Sequence, residues 1–513
     1  MATAVIVGGS VAGLACALAL SGTGYRVLVL DQSPEPPAGP LPEAALRWRR
    51  PSVPQADHPH TLGSLGVQVL RERAPLLLSR LRAAGALEAD LTHALPATAT
   101  DRARRPADDE LVALACRRTT FELVLRRHVA GLPDVGIRPG VTVDALELDS
   151  SARRVRAVVT RGGARIPATL VVDATGHRAK SRTWLRDCGV PVAADLVAPS
   201  GLDLRTRFHR LRQGWPPATA PTGDLTAYGA FPAPFGLGHG VGAVWDHYAA
   251  LLHPADGGTF SVTLGTLPGD RALSALVTTS GFTAAATATP GLAPWLTPDV
   301  SAPLTEDIST LTCPPNSFWG VASSRQHPVA GLFQTGDAAC VTNPLLARGM
   351  SLALAHAFRL ADVLAAHPDV DTAQRRAAAR MTEDFFLPWY EQSAASDRTR
   401  ITRWRAALSG TPQPDAPGPD EPPAPAQVTA AARQDGVVWR GLTRMLMTLT
   451  TEQKLHTDEE FLTRVHQTPP TPDTRPRPPG RADLLRHVHA AERHTTALAT
   501  PLPIPAPPEA QAA

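Results

Sequence analysis

Residues 5–19 read VIVGGSVAGLACALA, and residues 25–31 read YRVLVLD. The first apolar run is short and β-branched, as a buried strand requires. It breaks on two glycines and resumes as a longer apolar run of helical character. Strand, glycine turn, helix and strand together make the opening of a βαβ unit. Gly8, Ser10 and Gly13 occupy the three positions of the G-x-G-x-x-G dinucleotide fingerprint, with serine in the middle place. Gly8 permits the tight turn, the middle position lets backbone approach a pyrophosphate, and Gly13 allows close helix–strand packing. The helix N-terminus adds free N–H groups and a positive dipole end. Asp31 ends the second strand about 20 residues after the turn, where a carboxylate can bond a ribose hydroxyl.

Far downstream, residues 331–361 read GLFQTGDAACVTNPLLARGMSLALAHAFRLA. A short strand runs into Gly336-Asp337, a loop carries Pro344, and Gly349 and Met350 open a long apolar helix. A carboxylate so distant in the chain completes the first site only for a long ligand. FAD, with a ribityl chain and a flavin beyond its pyrophosphate, is such a ligand. Asp337 could then bond the ribityl hydroxyls, and the helix opening at Gly349 could aim its N–H groups at the electron-rich end of the flavin ring.

The totals exclude several other classes. The chain has 513 residues, 43% hydrophobic and 19% charged, with a net charge of +3. That charge is too small to argue for nucleic acid or an anionic membrane surface. No uninterrupted run of about 18 apolar residues suggests a membrane span, and the N-terminus has no signal-peptide pattern. The 5 cysteines are scattered without metal-ligand spacing, which fits a reducing cytoplasm and predicts no metal site.

The pattern predicts an α/β fold: a Rossmann-like FAD-binding domain, an inserted and mostly antiparallel β-sheet substrate domain, and a C-terminal helical extension. The expected boundaries are 1–195 for the first part of the FAD-binding domain, 196–325 for the substrate domain and 326–410 for the return. A Pro-rich linker at 411–427 and the extension at 428–500 follow. One helix is expected across 66–87, one strand across 165–176, and one or two helices across 428–466. In the returning helix, Leu354, Phe358, Ala361 and Ala365 are expected to share the apolar face.

The combination of GGSVAGL, CRRTTFE (116–122), VVDATGHRAKSRTWL (171–185) and GDAACVTNPLLARGMSLALAHA resembles the FAD-dependent monooxygenases of the aromatic-hydroxylase superfamily. Within it the chain looks most like the polyketide epoxidases and their halogenase-like relatives, and RRPSVPQADHPHTLGSLGVQVL (49–70) is similar to a segment of theirs. The resemblance implies an oxidoreductase that transfers oxygen through a flavin hydroperoxide to a hydrophobic, polyketide-like or aromatic metabolite, in bacterial specialised metabolism such as antibiotic biosynthesis. It also implies that Arg118 contacts FAD, that Asp337 holds the ribityl chain, and that Pro344 and Gly349 lie near the ring.

Three departures stand out. Arg348 sits where the relatives commonly have glutamine, and Ala347 where they have glycine. Thr175-Gly176 replaces their Asp-Gly pair; NADPH or NADH is the expected reductant, directly or through a separate flavin reductase, and the replacement favours the separate reductase. The tryptophan motif of flavin halogenases is absent. The side-chain candidates are His58, His60 and Arg348 for catalysis, and Arg49, with Arg47 and Arg50, for the pyrophosphate. Trp245, His247 and Tyr248 are candidates for the substrate wall, with molecular oxygen as co-substrate. Two other classes stay open: an FAD-bound cyclase with no net redox step, and a double-bond reductase similar to geranylgeranyl reductases.

Overall fold

A computed structural model describes residues 2–151, 153–212, 241–411, 423–469 and 477–499. Strand β1 (Ala2–Val7) runs into helix α1 (Val11–Leu20) and strand β2 (Tyr25–Asp31). Five parallel strands form the first sheet. Their order is Leu332–Gln334, Leu170–Asp173, β1, β2, Val135–Pro139. The strand Leu332–Gln334 thus lies beside the strand Leu170–Asp173 in the same parallel sheet. Asp173 and Asp337 are brought to the same carboxyl edge of the sheet as the glycine turn.

Helix α1 is apolar all round because it is enclosed. It lies between the sheet and the helix Gly349–Ala366, and eight of its residues are buried. That second helix is long and apolar enough, by length and composition, to cross a membrane. Here its apolar residues are used inside the protein, where Met350, Leu354, Ala357, Phe358, Ala361 and Leu364 join the core around α1. Ala365 is exposed; Leu364 takes the place expected of it.

The antiparallel sheet has Asp203–Leu211 at its centre, paired to Thr259–Thr266 on one side and to Ser301–Pro303 and Ser309–Thr312 on the other. Ala249–Pro254 and Val241–Val244 extend it. Residues 213–240 of the expected substrate domain lie outside the described residues, as does most of the Pro-rich stretch.

Several elements differ from expectation for local reasons. Residues 64–83 form two helices, Ser64–Arg73 and Pro75–Ala83, because Pro75 cannot continue the first. Residues 165–173 split into two strands of different sheets, Arg165–Pro167 and Leu170–Asp173. Thr372–Ser409 is a single helix of 38 residues with Pro388 inside it. Residues 425–467 hold four short helices, not one or two. A further helix, Arg481–Ala499, packs Leu484 and Val488 into the core of the antiparallel sheet.

Candidate functional site

One cavity of about 650 Å3 joins the two sheets. At one end it is lined by Gly8, Gly9, Ser10, Val11, Ala12 and Asp31. Its middle is lined by Asp337, Pro344, Gly349 and Met350, and its far end by Leu204, Leu251, His253, Thr263 and Leu311.

The glycine turn is fixed by contact. Gly8 holds φ +118°, and a Cβ there would lie 2.3 Å from the Ala174 carbonyl oxygen. A Cβ on Gly9 would meet the Asp31 side chain at 2.6 Å, and one on Gly13 would sit 1.8 Å from the Gly8 oxygen. No side chain caps the N-terminus of α1. Its first N–H groups are therefore free to bind an acceptor in the cavity.

Beside the turn lies a buried charge network. Arg50 reaches Asp31 (3.4 Å) and Glu122 (2.9 Å), and Arg126 reaches Asp31 (3.1 Å). Ser10 donates its hydroxyl to Glu122 (2.8 Å), and Arg118 donates to Ser10 (3.1 Å). Three guanidinium groups thus meet two buried carboxylates. Arg126 also touches Glu35, which is exposed. The excess positive charge suits a phosphate-bearing ligand. Arg50 lines the cavity and is 6% exposed, whereas Arg49, the residue expected here, points to solvent and does not line it. Neighbouring loop residues face opposite ways, and no sequence period announces which faces in. Glu122 was not anticipated as a site residue at all.

The carboxylate of Asp337 accepts no hydrogen bond among the described residues. Burial raises its pKa, while the charges of Arg118 and His177 oppose that shift. An unpaired carboxylate midway along the cavity is a free partner for ligand hydroxyls. Behind it, Ala347 holds the left-handed conformation at φ +48°, at a cost of roughly 1–2 kcal/mol. That turn sets Gly349 and Met350 against the cavity.

His58 lines the cavity, and its Nδ1 lies 2.8 Å from Thr206 Oγ1. Burial lowers its pKa to about 4, opposed in part by the Thr310 backbone. His60 Nδ1 donates to the His58 carbonyl (2.8 Å), and its Nε2 accepts from Arg118 (3.1 Å). Burial, then the Arg118 charge, holds His60 well below the usual histidine range. His60 therefore steadies Arg118 and has no proton to give at Nε2. His253, at the far end, is lowered to about 4 by burial. The far end of the cavity is thus uncharged at neutral pH.

Two further expectations fail on geometry. Arg348 is 1% exposed and does not line the cavity. Its Nη1 donates to Gln392 Oε1 (3.2 Å) and its guanidinium lies over the Trp389 ring at 5.1 Å. Burial lowers its pKa to about 10. Tyr248 is 2% exposed in the core on the sheet's other face, with its hydroxyl 3.1 Å from Thr289 Oγ1. Trp245 packs on Tyr248, and its carbonyl accepts from Trp404. None of Trp245, His247 and Tyr248 lines the cavity. The hairpin turns these aromatics away, and Leu204, Leu251 and Leu311 supply the wall.

The buried histidines make stability depend on pH. His58, His209, His247 and His253 are all lowered to about 4, while an unfolded histidine titrates near about 6.5. Between these values the unfolded chain binds more protons, so stability falls as pH falls through that window. The urea midpoint is expected to be lower at pH 5 than at pH 7. Equal midpoints would show that these imidazoles are not held neutral by the fold.

Residues 6–41 match a family model described as an NAD(P)-binding Rossmann-like domain. No curated protein matches the chain. Among solved structures it is similar to PqsL of Pseudomonas aeruginosa, described as a probable FAD-dependent monooxygenase. That match has 14% identity and a TM-score of 0.53, and covers 80% of this chain and 99% of the other. It is also similar to OxyS, the anhydrotetracycline hydroxylase of Streptomyces rimosus, at 16% identity and TM-score 0.55, covering 88% and 76%. A third is the Diels-Alderase PyrE3 of pyrroindomycin biosynthesis, at 18% identity and TM-score 0.55, covering 88% and 81%. At these identities the likeness is one of fold: the chain shares its architecture with structures described as a probable FAD-dependent monooxygenase, a hydroxylase and a Diels-Alderase.

Proposed function

We propose that the chain binds FAD and is a monooxygenase that hydroxylates or epoxidises an uncharged, largely apolar small molecule. The observation that carries this reading is the single cavity running from a dinucleotide turn, past an unpaired carboxylate and a helix N-terminus, to an apolar wall on a second sheet. Each part fits one part of FAD. The turn and Arg118 face the pyrophosphate, with Arg50 behind them. Asp31 faces the adenosine ribose, Asp337 the ribityl hydroxyls, and the backbone N–H groups at Gly349 and Met350 the pyrimidine end of the flavin. Reduced FAD supplies the activation of oxygen. The protein's part is to orient, to exclude water and to manage protons at named atoms. Leu204, Leu251 and Leu311 exclude water. Thr263 and the neutral imidazoles of His58 and His253 are hydrogen-bonding groups that can orient a substrate hydroxyl or carbonyl without placing a charge against it.

Reduction through a partner flavin reductase is favoured by the Asp173 loop. Thr175 donates its hydroxyl to Asp173 at 2.6 Å, so this position presents no free carboxylate to a nicotinamide nucleotide. A second reading, an FAD-bound cyclase, is favoured by the likeness to PyrE3 and by the uncharged far end.

The test supplies FAD, a flavin reductase, NADPH and a panel of neutral aromatic and polyketide-like compounds. Oxygen uptake with a product heavier by one oxygen atom supports monooxygenation. An isomer formed without oxygen uptake supports the cyclase, and a product heavier by two hydrogens contradicts both.

Arg348 provides a separate check on the site's limits. Because it lies outside the cavity, Arg348→Gln should leave FAD affinity within about 3-fold. It should leave stability unchanged or raised by about 1 kcal/mol, since a buried and incompletely paired cation is removed. Loss of turnover with FAD affinity intact would return Arg348 to the catalytic set; FAD titration and turnover assays read this directly.

A further inference from the structure

We propose that the outer face of the antiparallel sheet carries a second site, separate from the FAD cavity, that binds a small aromatic carboxylate through Arg207, His209 and Arg212. The central strand Asp203–Leu211 alternates its side chains. Leu204 lines the large cavity and Thr206 holds His58, while Arg207 and His209 line a different cavity of about 200 Å3 on the opposite face. The two cavities share no lining residue.

The second cavity is built around buried polar groups. Arg207 is 8% exposed and His209 7% exposed. Arg207 donates from Nε to the Thr305 carbonyl (3.0 Å) and from Nη2 to the Glu306 carbonyl (3.3 Å). Arg212, at the mouth, donates to the Pro298 carbonyl. Among the described residues neither arginine forms an ion pair and no carboxylate lines the cavity. The Glu306 side chain is exposed and acts on Arg207 only as a nearby charge. His209 is stacked on Phe260 with centroids 5.2 Å apart, and its Nε2 has no hydrogen-bond partner. A sheet face normally buries apolar residues; this one buries a cation and an imidazole with no anion paired to them among the described residues.

The walls define the ligand. Two guanidinium groups and an imidazole N–H make a receptor for a carboxylate. Phe282, Leu296, Pro298, Ala302 and Pro303 make most of the remaining surface apolar, with Thr283 and Ser301 beside them. The volume admits one ring with its carboxylate and is far too small for a dinucleotide. The neutral far end of the large cavity offers an acid no comparable partner, so the two sites select oppositely for charge.

Benzoate is the probe, with benzamide as its uncharged counterpart and inorganic phosphate as an anion without a ring. Each is titrated into the full-length, FAD-saturated protein by isothermal calorimetry, with the flavin absorbance recorded in parallel. The inference predicts saturable benzoate binding, at least ten-fold weaker binding of benzamide and phosphate, and an unchanged flavin spectrum. Arg212→Gln alters an exposed side chain and should weaken benzoate at least five-fold with the fold intact; Arg207→Gln should weaken it further. Equal binding of benzoate and benzamide, equal binding of phosphate, wild-type affinity in Arg212→Gln, or no binding at all overturns the inference. A benzoate-induced change in the flavin spectrum places the ligand in the large cavity and also overturns it. The calorimetric outcomes do not depend on the monooxygenase reading; the flavin-spectrum outcome rests on FAD binding alone.

Discussion

Glu122→Ala should destabilise the FAD-free protein by about 3–5 kcal/mol, the range for removing one partner of a buried ion pair. Glu122 is 1% exposed and is the one carboxylate shared by Arg50, Arg118 and the Ser10 hydroxyl. Its loss leaves Arg50 with Asp31, which is already shared with Arg126, and leaves Arg118 without an ion pair among the described residues, with Asp337 only as a nearby charge. The defect should be smaller in the FAD-loaded protein, because the pyrophosphate would bring negative charge to the same place. Glu122→Gln keeps an acceptor for Ser10 and should fall between the two. Urea unfolding with and without FAD measures all three. A loss below about 1 kcal/mol in Glu122→Ala would mean that the network is solvated and not the electrostatic centre of the site.

Gly13→Ala should abolish FAD binding, and much of the protein should be lost to aggregation. The added methyl would sit 1.8 Å from the Gly8 carbonyl oxygen and 3.3 Å from Ala174 Cβ. Gly8 belongs to the turn itself and Ala174 to the end of the adjacent strand Leu170–Asp173, and a backbone oxygen has no rotamer with which to retreat. Helix α1 must then move away from the sheet, which carries its free N–H groups off the cavity and opens the core it shares with the helix Gly349–Ala366. Overpacking of this kind costs roughly 1–3 kcal/mol or more. The Gly13→Ala protein, recovered in soluble form and titrated with FAD, should show an affinity reduced at least 100-fold. Near-normal affinity would show that the turn does not hold the pyrophosphate.

The two decisive stretches were legible because their signals are local. An apolar strand, a glycine turn and a helix follow one another within 20 residues, and the period of each is set by its own backbone geometry. The same holds for Gln334 to Met350, where strand end, turn and helix start are contiguous. The charge network was not legible. Asp31, Arg50 and the Glu122–Arg126 pair are far apart in the chain, and only the packing of the helix Arg118–Ala130 against α1 and the helix Leu41–Arg47 brings them together. Arg49 and Arg50 are equivalent in sequence, and one loop turn decides between them. Arg348 misled because a helix N-cap position fixes where the backbone goes, whereas the rotamer and the waiting Trp389 and Gln392 decide where the guanidinium goes. Trp245 and Tyr248 follow the commoner fate of large aromatics, burial in a core.

The central claim is that one cavity holds one FAD, and a fluorescence titration tests it most directly. FAD is added to the purified protein freed of any bound flavin, and emission is followed to saturation in wild type and in Asp337→Ala. The account predicts one equivalent bound by the wild type, with affinity at least ten-fold weaker when Asp337 is removed. A wild-type protein that takes up no FAD, or an Asp337→Ala protein that binds it as tightly, would contradict the account.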